Sequence, residues 1–453
     1  MAAMSSAQAL GSHPPGLATL FFVEMWERFS YYGMRAILVL YAVAPAAAGG
    51  LGFNTKEAAS LYGTYTMAVY ILSVPGGLIA DRWLGARMAV LLGGLVIVCG
   101  QFCLTVSSLT FFYLGLSLIA IGTGLLKPNI SIMVGGLYGE KDPRRDSGFS
   151  LFYMGINVGA VMAPLACGFL AESATFKAWL AARGFDPAAS WHWGFGAAGV
   201  GMIAGLIVYL LRRDTLATVG LRPSSRASKA GSAPAEPLTA REWSRIGAIF
   251  ILFTFTIFFW AAYEQKGASL NLFAKQLVST KLFGWDFPAS WLQSLTPFYV
   301  IILAPLFARL WVKLGDRQPS SPTKFALGLA AIGCAFCILV PASALTASGK
   351  ISPLWLAAVY FLDVTGEICL SPVGLSTVTK VAPARFVGLM MGAWFFATSL
   401  GNKLAGYLSG FFVASDPAQL MRLYGGIAAG LLLASAVLAL TRPYLRRLMG
   451  TSD

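Results

Sequence analysis

Charge is scarce in this sequence. Only 11% of its 453 residues are Asp, Glu, Lys or Arg and 57% are hydrophobic, whereas soluble domains carry about 25% charged residues. A chain of this composition does not stay folded in water alone. Histidine is scarcer still, since His13 and His192 are the only two, and both lie away from predicted helix centres. A buried histidine relay is excluded, so any proton must ride on carboxylates. The six cysteines (Cys99, Cys103, Cys167, Cys334, Cys337 and Cys369) all fall in apolar runs. Cys334 and Cys337 form a CxxC, but no second pair or nearby His completes a metal site, so they read as small apolar filler. The sequence also lacks a nucleotide loop and a nucleophile with a convincing base partner. No enzyme and no cofactor are expected. Alternating ten-residue segments, the mark of a membrane barrel, are missing too.

What remains is a series of apolar runs of roughly 20 residues, the length that carries a helix across about 30 Å of hydrocarbon. Helices satisfy their backbone polar groups internally, which lipid requires. The expected fold class is therefore all-α integral membrane, with about twelve transmembrane helices near residues 17–42, 58–80, 88–107, 109–137, 147–171, 192–211, 246–275, 289–313, 322–344, 352–379, 385–411 and 417–440.

The formal net charge of +14 suggests nucleic acid at first sight, but its distribution points to the bilayer. The loops after even-numbered spans and the C-terminal tail hold far more Lys and Arg than the odd-numbered loops. The positive-inside rule then puts both termini in the cytoplasm of a multi-pass plasma-membrane protein, a bacterial inner membrane being expected. The basic excess faces anionic lipid, and no nucleic-acid partner is implied. The first sixteen residues hold no Lys or Arg, and the first span carries acids, so no cleavable signal peptide is expected.

After the second span comes Gly76-Gly77-Leu78-Ile79-Ala80-Asp81-Arg82-Trp83-Leu84-Gly85-Ala86-Arg87, which resembles the loop signature of the major facilitator superfamily. A degenerate echo, Leu314-Gly315-Asp316-Arg317, follows span eight. Repetition at corresponding points implies two six-helix bundles related as parallel repeats. The expected division is a cytoplasmic segment 1–16, a bundle 17–211, a cytoplasmic linker 212–245, a bundle 246–440 and a cytoplasmic tail 441–453. Gly77, Asp81, Arg82 and Arg87 are expected to form a conformational loop, with the acid and the two arginines closing a clasp.

An ionisable side chain at the bilayer centre costs roughly 2.5–3.5 kcal/mol on insertion scales, so it normally faces a cavity or a partner. Span one nevertheless holds Glu24, Glu27, Arg28 and Arg35 with Tyr31 and Tyr32. At 100° per residue, Glu24, Arg28, Tyr31 and Arg35 fall within about 60° of one another, flanked by Glu27 and Tyr32. A ladder of ion pairs serving only packing is the bland alternative, but apolar residues would pack with less desolvation. Lys127 sits in the middle of span four, too deep to reach the surface by extending along its stem. The C-terminal half supplies Glu264, Asp363 and Glu367, with Trp260 one turn from Glu264 and Trp394 in span eleven. Cations in one half and carboxylates in the other suit a zwitterion bridging both. Asp363 is left without a role, and Lys266, Arg309 and Lys403 read as structural charges.

Four segments closely resemble the signatures of the proton-dependent oligopeptide transporter family: Glu24-x-x-Glu27-Arg28-Phe29-x-Tyr31-Tyr32-Gly33, Gly124-x-x-Lys127-Pro128-Asn129, Phe152-Tyr153-Met154-Gly155-Ile156-Asn157, and Gly366-Glu367-x-Cys369-Leu370-Ser371-Pro372. The likeness runs from about residue 17 to 440. It implies a proton-coupled importer of di- and tripeptides working by alternating access, with the proton as coupling ion and a monomer as functional unit. By motif position, Arg28 and Lys127 would attract the peptide carboxylate, Tyr31, Tyr32 and Tyr70 would shape the pocket, and Asn157 and Glu367 would bind the amino terminus. Trp260 and Trp394 would line side-chain space, with aromatic core packing the competing role. Glu24, Glu27, Arg35 and Glu264 would couple the proton, Glu264 pairing with Arg35, and Lys127 would pair with Glu367 when no substrate is bound. Thr296 stands where the family often has Asn, which would weaken the contact to the amino terminus or shift selectivity. The linker also has no room for the two extra helices of many bacterial relatives. Two rivals remain: a facilitator-fold transporter of a drug or of another anion such as nitrate, and a membrane enzyme or non-transporting scaffold.

Overall fold

The computed structural model describes residues 13–139, 142–217, 219–221, 238–282, 284–383 and 386–450. Half of the expected linker, including Arg222, Arg226 and Lys229, lies outside them, as do the first twelve residues and the last three.

Every expected span is helical. In chain order the helices are α1 (Pro15–Val43), α2 (Thr55–Ile79), α3 (Ala86–Cys103), α4 (Leu109–Gly136), α5 (Arg145–Glu172), the short α6 (Ala174–Ala182), α7 (Ser190–Leu211), α8 (Ala240–Tyr263), α9 (Ser269–Leu277), α10 (Leu295–Leu314), α11 (Ser321–Leu345), α12 (Leu354–Val381), α13 (Val387–Ser409) and α14 (Pro417–Met449). Among the described residues, ten segments are long and apolar enough to cross a membrane. The two long helices outside that set are instructive. α1 carries Glu24, Glu27, Arg28 and Arg35, and α13 is diluted by Gly, Ser, Thr, Asn402 and Lys403. Their low hydropathy reflects what they hold, not a different path.

Local sequence explains the helix ends. Pro15 opens α1, where its missing N–H is not needed. The helix stops at Ala44, which is extended ahead of Pro45. Asn54 and Glu57 cap α2 reciprocally, at 2.9 and 3.0 Å, and Thr239 with Glu242 forms a capping box on α8. Two expectations are corrected. The seventh span is not one helix: α8 ends at Tyr263, Glu264–Gly267 form a 3-10 turn, and α9 resumes at Ser269. The last helix runs on to Met449, so most of the expected tail is helical.

Two compact units form, one of residues 1–52, 68–230 and 287–297, the other of 53–67, 231–286 and 298–453. They differ from the six-plus-six division read from the sequence by the exchange of two short segments. In the first unit, Leu17, Leu20 and Val23 of α1 pack with Ile97, Leu126, Ile130, Met202 and Leu206 in a core shared by α3, α4 and α7. Lipid offers no hydrophobic gain for helix association, so close approach through small residues matters. A Cβ on Gly93 would lie 2.6 Å from the Gly122 carbonyl, and one on Gly122 would lie 2.6 Å from that of Gly93. The exchanged segment 287–297 is tied down here as well. Trp291 Nε1 donates to Leu165 O at 3.0 Å, Ser294 Oγ to Val161 O at 2.8 Å, Ser290 N to Glu172 Oε1 at 3.1 Å, and Gln293 Nε2 to Ala36 O at 3.2 Å. In the second unit, Val300 and Leu303 of α10 pack on Val364 and Ile368 of α12. Its borrowed segment 53–67 is held on α13, Lys403 Nζ donating to Thr64 Oγ1 at 2.6 Å.

Candidate functional site

In the first unit, one face of α1 gathers the charges. Glu24, Glu27, Arg28 and Arg35 are each at most 5% exposed. Arg28 Nε reaches Glu24 Oε1 at 3.2 Å and also donates to Glu27 Oε2. The guanidinium lies 5.1 Å from the Tyr31 ring centroid and 6.0 Å from that of Tyr32, while Arg35 lies 5.9 and 5.5 Å from the same rings. The two tyrosines meet edge to face. Arg28 Nη2, Glu24 Oε2 and Glu27 Oε1 have no hydrogen-bond partner among the described residues. A buried donor on a fixed guanidinium fork is the feature that recognises a carboxylate.

Lys127 of α4 adds a second cation. Its Nζ lies 4.1 Å from the centroid of Tyr70, and the charge of Arg28 is near enough to act on it. No acid pairs with Lys127 among the described residues. The next two residues explain its placement. Pro128 removes one helix hydrogen bond inside α4, and Asn129 Nδ2 in the next position donates to Leu125 O at 2.7 Å. Asn157 of α5 is buried, its amide donating to Tyr153 O at 2.9 Å. Thr296 is buried, with its hydroxyl unpaired among the described residues.

In the second unit, the break between α8 and α9 organises the acids. Tyr62 OH donates to Glu264 Oε2 at 2.9 Å. Gly267 lies so close that a Cβ there would collide with the Tyr62 hydroxyl. Gln265 is fully buried and satisfies the broken backbone, donating to Ala261 O at 3.0 Å and Ala405 O at 3.1 Å. Its Oε1 accepts from Ser269 at 2.6 Å and Ser409 at 2.7 Å. Tyr263 OH donates to Glu367, and Lys266 Nζ lies 3.0 Å from the Tyr263 ring centroid. Trp260 stands edge-on to Tyr263, with ring centroids 5.2 Å apart, and its indole N–H is unpaired among the described residues. Trp394 differs: it is 2% exposed, packed between Phe253 and Phe325, with Gly374 against its ring. That is a core position.

The loop after α2 also differs from expectation. Residues Ala80–Leu84 form a π turn, and Gly85 has φ 77°. Arg87 does not reach Asp81. Its Nε donates to Val219 O at 2.8 Å, and its Nη2 to Ala217 O. Asp81 and Arg82 are exposed and make no ion pair among the described residues, while a Cβ at Gly77 would meet open space.

Sequence reasoning did not single out Tyr62, Tyr263, Gln265 or Lys266 as functional. Two signals were available: Tyr62, Thr66 and Tyr70 share a helix face, and Glu264-Gln265-Lys266-Gly267 packs two charges and a glycine into four residues of an apolar run.

A model of the POT family matches residues 87–235 and 235–423. The peptide transporter YePEPT of Yersinia enterocolitica is 36% identical, with 97% of this chain and 96% of that protein covered. A di-/tripeptide transporter of Lactococcus lactis subsp. cremoris is 35% identical, with 96% and 97% covered. The crystal structure of a peptide transporter POT in complex with alafosfalin is similar at a TM-score of 0.87 and 36% identity, covering 99% of this chain and 100% of that one.

Proposed function

Because the chain belongs to the POT family, whose matched relatives include named peptide transporters, we propose that it is a proton-coupled importer of di- and tripeptides working by alternating access. The observation that carries this reading is the pairing of the buried Arg28 with the partly buried Lys127, two cations that local acids do not exhaust: Arg28 keeps Nη2 unpaired, and Lys127 contacts a ring, not a carboxylate. They hold the peptide carboxylate. Asn157 and Glu367 hold the amino terminus, and the tyrosines 31, 32 and 70 form the walls. Clamping the two ends, which all short peptides share, selects length and leaves side chains free.

The coupling proton binds carboxylates. On the family resemblance Glu264 would pair with Arg35, and protonation of Glu264 would release that pair and loosen the extracellular closure, while proton movement among Glu24, Glu27 and Lys127 would be linked to peptide binding. Both termini face the cytoplasm, in keeping with the basic loops, and the monomer is the working unit in an inner membrane.

The test is uptake into proteoliposomes. Arg28→Ala and Lys127→Ala should each abolish most peptide uptake, and undiminished transport by either would remove that residue from the substrate path. Glu264→Gln should lose gradient-driven accumulation yet retain counterflow exchange, and full proton-driven uptake would overturn its coupling role. Dialanine should compete with the transported substrate; a carrier of an inorganic anion would ignore it.

A further inference from the structure

Three acids occupy the second unit near the α8–α9 break, and they are not treated alike. Glu264 accepts from Tyr62 and Glu367 accepts from Tyr263. Asp363, one turn before Glu367 on α12, is fully buried, and neither of its oxygens has a hydrogen-bond partner among the described residues. Lys266 and Glu367 are the charged groups whose fields reach it. Tyr360, one turn earlier, and through it Tyr424 of α14 are the neighbouring phenols. Both phenols are fully buried. The acid forms no ion pair among the described residues, and the Lys266 ammonium rests on the Tyr263 ring.

An ionised carboxylate with no donor and no water-facing surface is prohibitively costly, so such a group takes up a proton instead. We propose that Asp363 is a further proton-binding site, distinct from Glu24, Glu27 and Glu264, protonated in this conformation and controlled by Lys266. Release requires a conformation that admits water to the site; there the Asp363 O–H bond breaks and the proton passes to that water. The carboxylate left behind is compensated when Lys266 turns from the Tyr263 ring towards it. Each turnover thereby links the position of Lys266, and through Tyr263 the state of Glu367, to one additional proton. The occupancy of the site follows from burial alone; its place in the cycle rests on the transport reading above.

Difference infrared spectroscopy on the purified full-length protein in lipid tests occupancy without any substrate. The carbonyl stretch of protonated carboxylic acids at neutral pH should lose one component in Asp363→Asn that Glu264→Gln and Glu367→Gln both retain, beside any band that Glu24 and Glu27 contribute. A spectrum that Asp363→Asn leaves unchanged would overturn the proposal. Lys266→Met, which removes the compensating charge, should hold that component to higher pH than wild type; an unchanged titration would refute control by Lys266. In proteoliposomes, Asp363→Asn should lower the number of protons moved per dialanine by one, and an unchanged ratio would refute the coupling step while leaving peptide transport untouched.

Discussion

Arg28 illustrates what one residue type can do that its usual substitute cannot. Its Nε is occupied by Glu24 and Glu27 while Nη2 is left over, so one planar fork holds the local acids and still has a donor to offer, which is what the proposed carboxylate site requires. Arg28→Lys keeps the charge but offers only a point cation. Losing a charge-assisted hydrogen bond costs about 1.5–3 kcal/mol, so the apparent affinity for dialanine should fall by roughly ten- to a hundredfold, measured as concentration-dependent uptake. A contrasting pair lies outside the membrane helices. Asp142 accepts from Arg144 Nη2 at 2.8 Å and from its backbone N at 2.9 Å, and these bonds hold the carboxyl down at about 2. A depressed folded value means that the contribution is present above the ordinary Asp range and is lost only as pH falls through about 2. Asp142→Asn should therefore leave the pH profile of uptake between about 5 and 8 unmoved. The charged residues of α1 and Lys127 were legible in the sequence because charge in an apolar run has few structural uses. The polar residues around the acids of the second unit were less so, since Tyr62 and Gln265 are ordinary residue types whose roles depend on atoms more than a hundred positions away.

At the scale of elements, the spans were readable from apolar run length because lipid imposes it. The break between α8 and α9 was not, since apolar residues continue on both sides of Glu264–Gly267. What permits the break is a set of long-range bonds from Gln265, together with a glycine that admits a tyrosine hydroxyl. Gly267→Ala should push Tyr62 away from Glu264 and leave a buried acceptor short of its donor, destabilising the protein by about 1–3 kcal/mol. Thermal unfolding in detergent would measure it. Tyr62→Phe removes the nearest of the colliding atoms and the same hydrogen bond to Glu264 that Gly267→Ala would break, so the double variant should lose clearly less than the sum of the two; strict additivity would argue against the contact. The loop after α7 holds the opposite case. Ala217 has φ 47°, a conformation that costs a side-chain-bearing residue on the order of 1 kcal/mol or more, and Arg87 captures its carbonyl. Ala217→Gly should raise the unfolding temperature, provided the Arg87 bond is kept.

At the scale of the whole molecule, repetition of the loop signature pointed to two halves but not to the exchange of segments between units. Periodicity and motif spacing are local, whereas the exchange depends on hydrogen bonds such as Trp291 to Leu165 and Lys403 to Thr64. Residues 53–67 belong with the second unit and 287–297 with the first, so each unit is incomplete when only its own half of the chain is present. The four bonds that anchor Ser290, Trp291, Gln293 and Ser294 contribute about 1 kcal/mol each, comparable in sum to a large share of the 5–15 kcal/mol by which domains are usually stable. Cutting the chain within residues 222–237 leaves every one of these contacts available. The two pieces, co-expressed, should therefore assemble, co-purify and transport dialanine, whereas either piece alone should be degraded or aggregate. Stable, monodisperse folding of residues 1–230 alone would show that the borrowed segment 287–297 is dispensable and that the unit closes on its own.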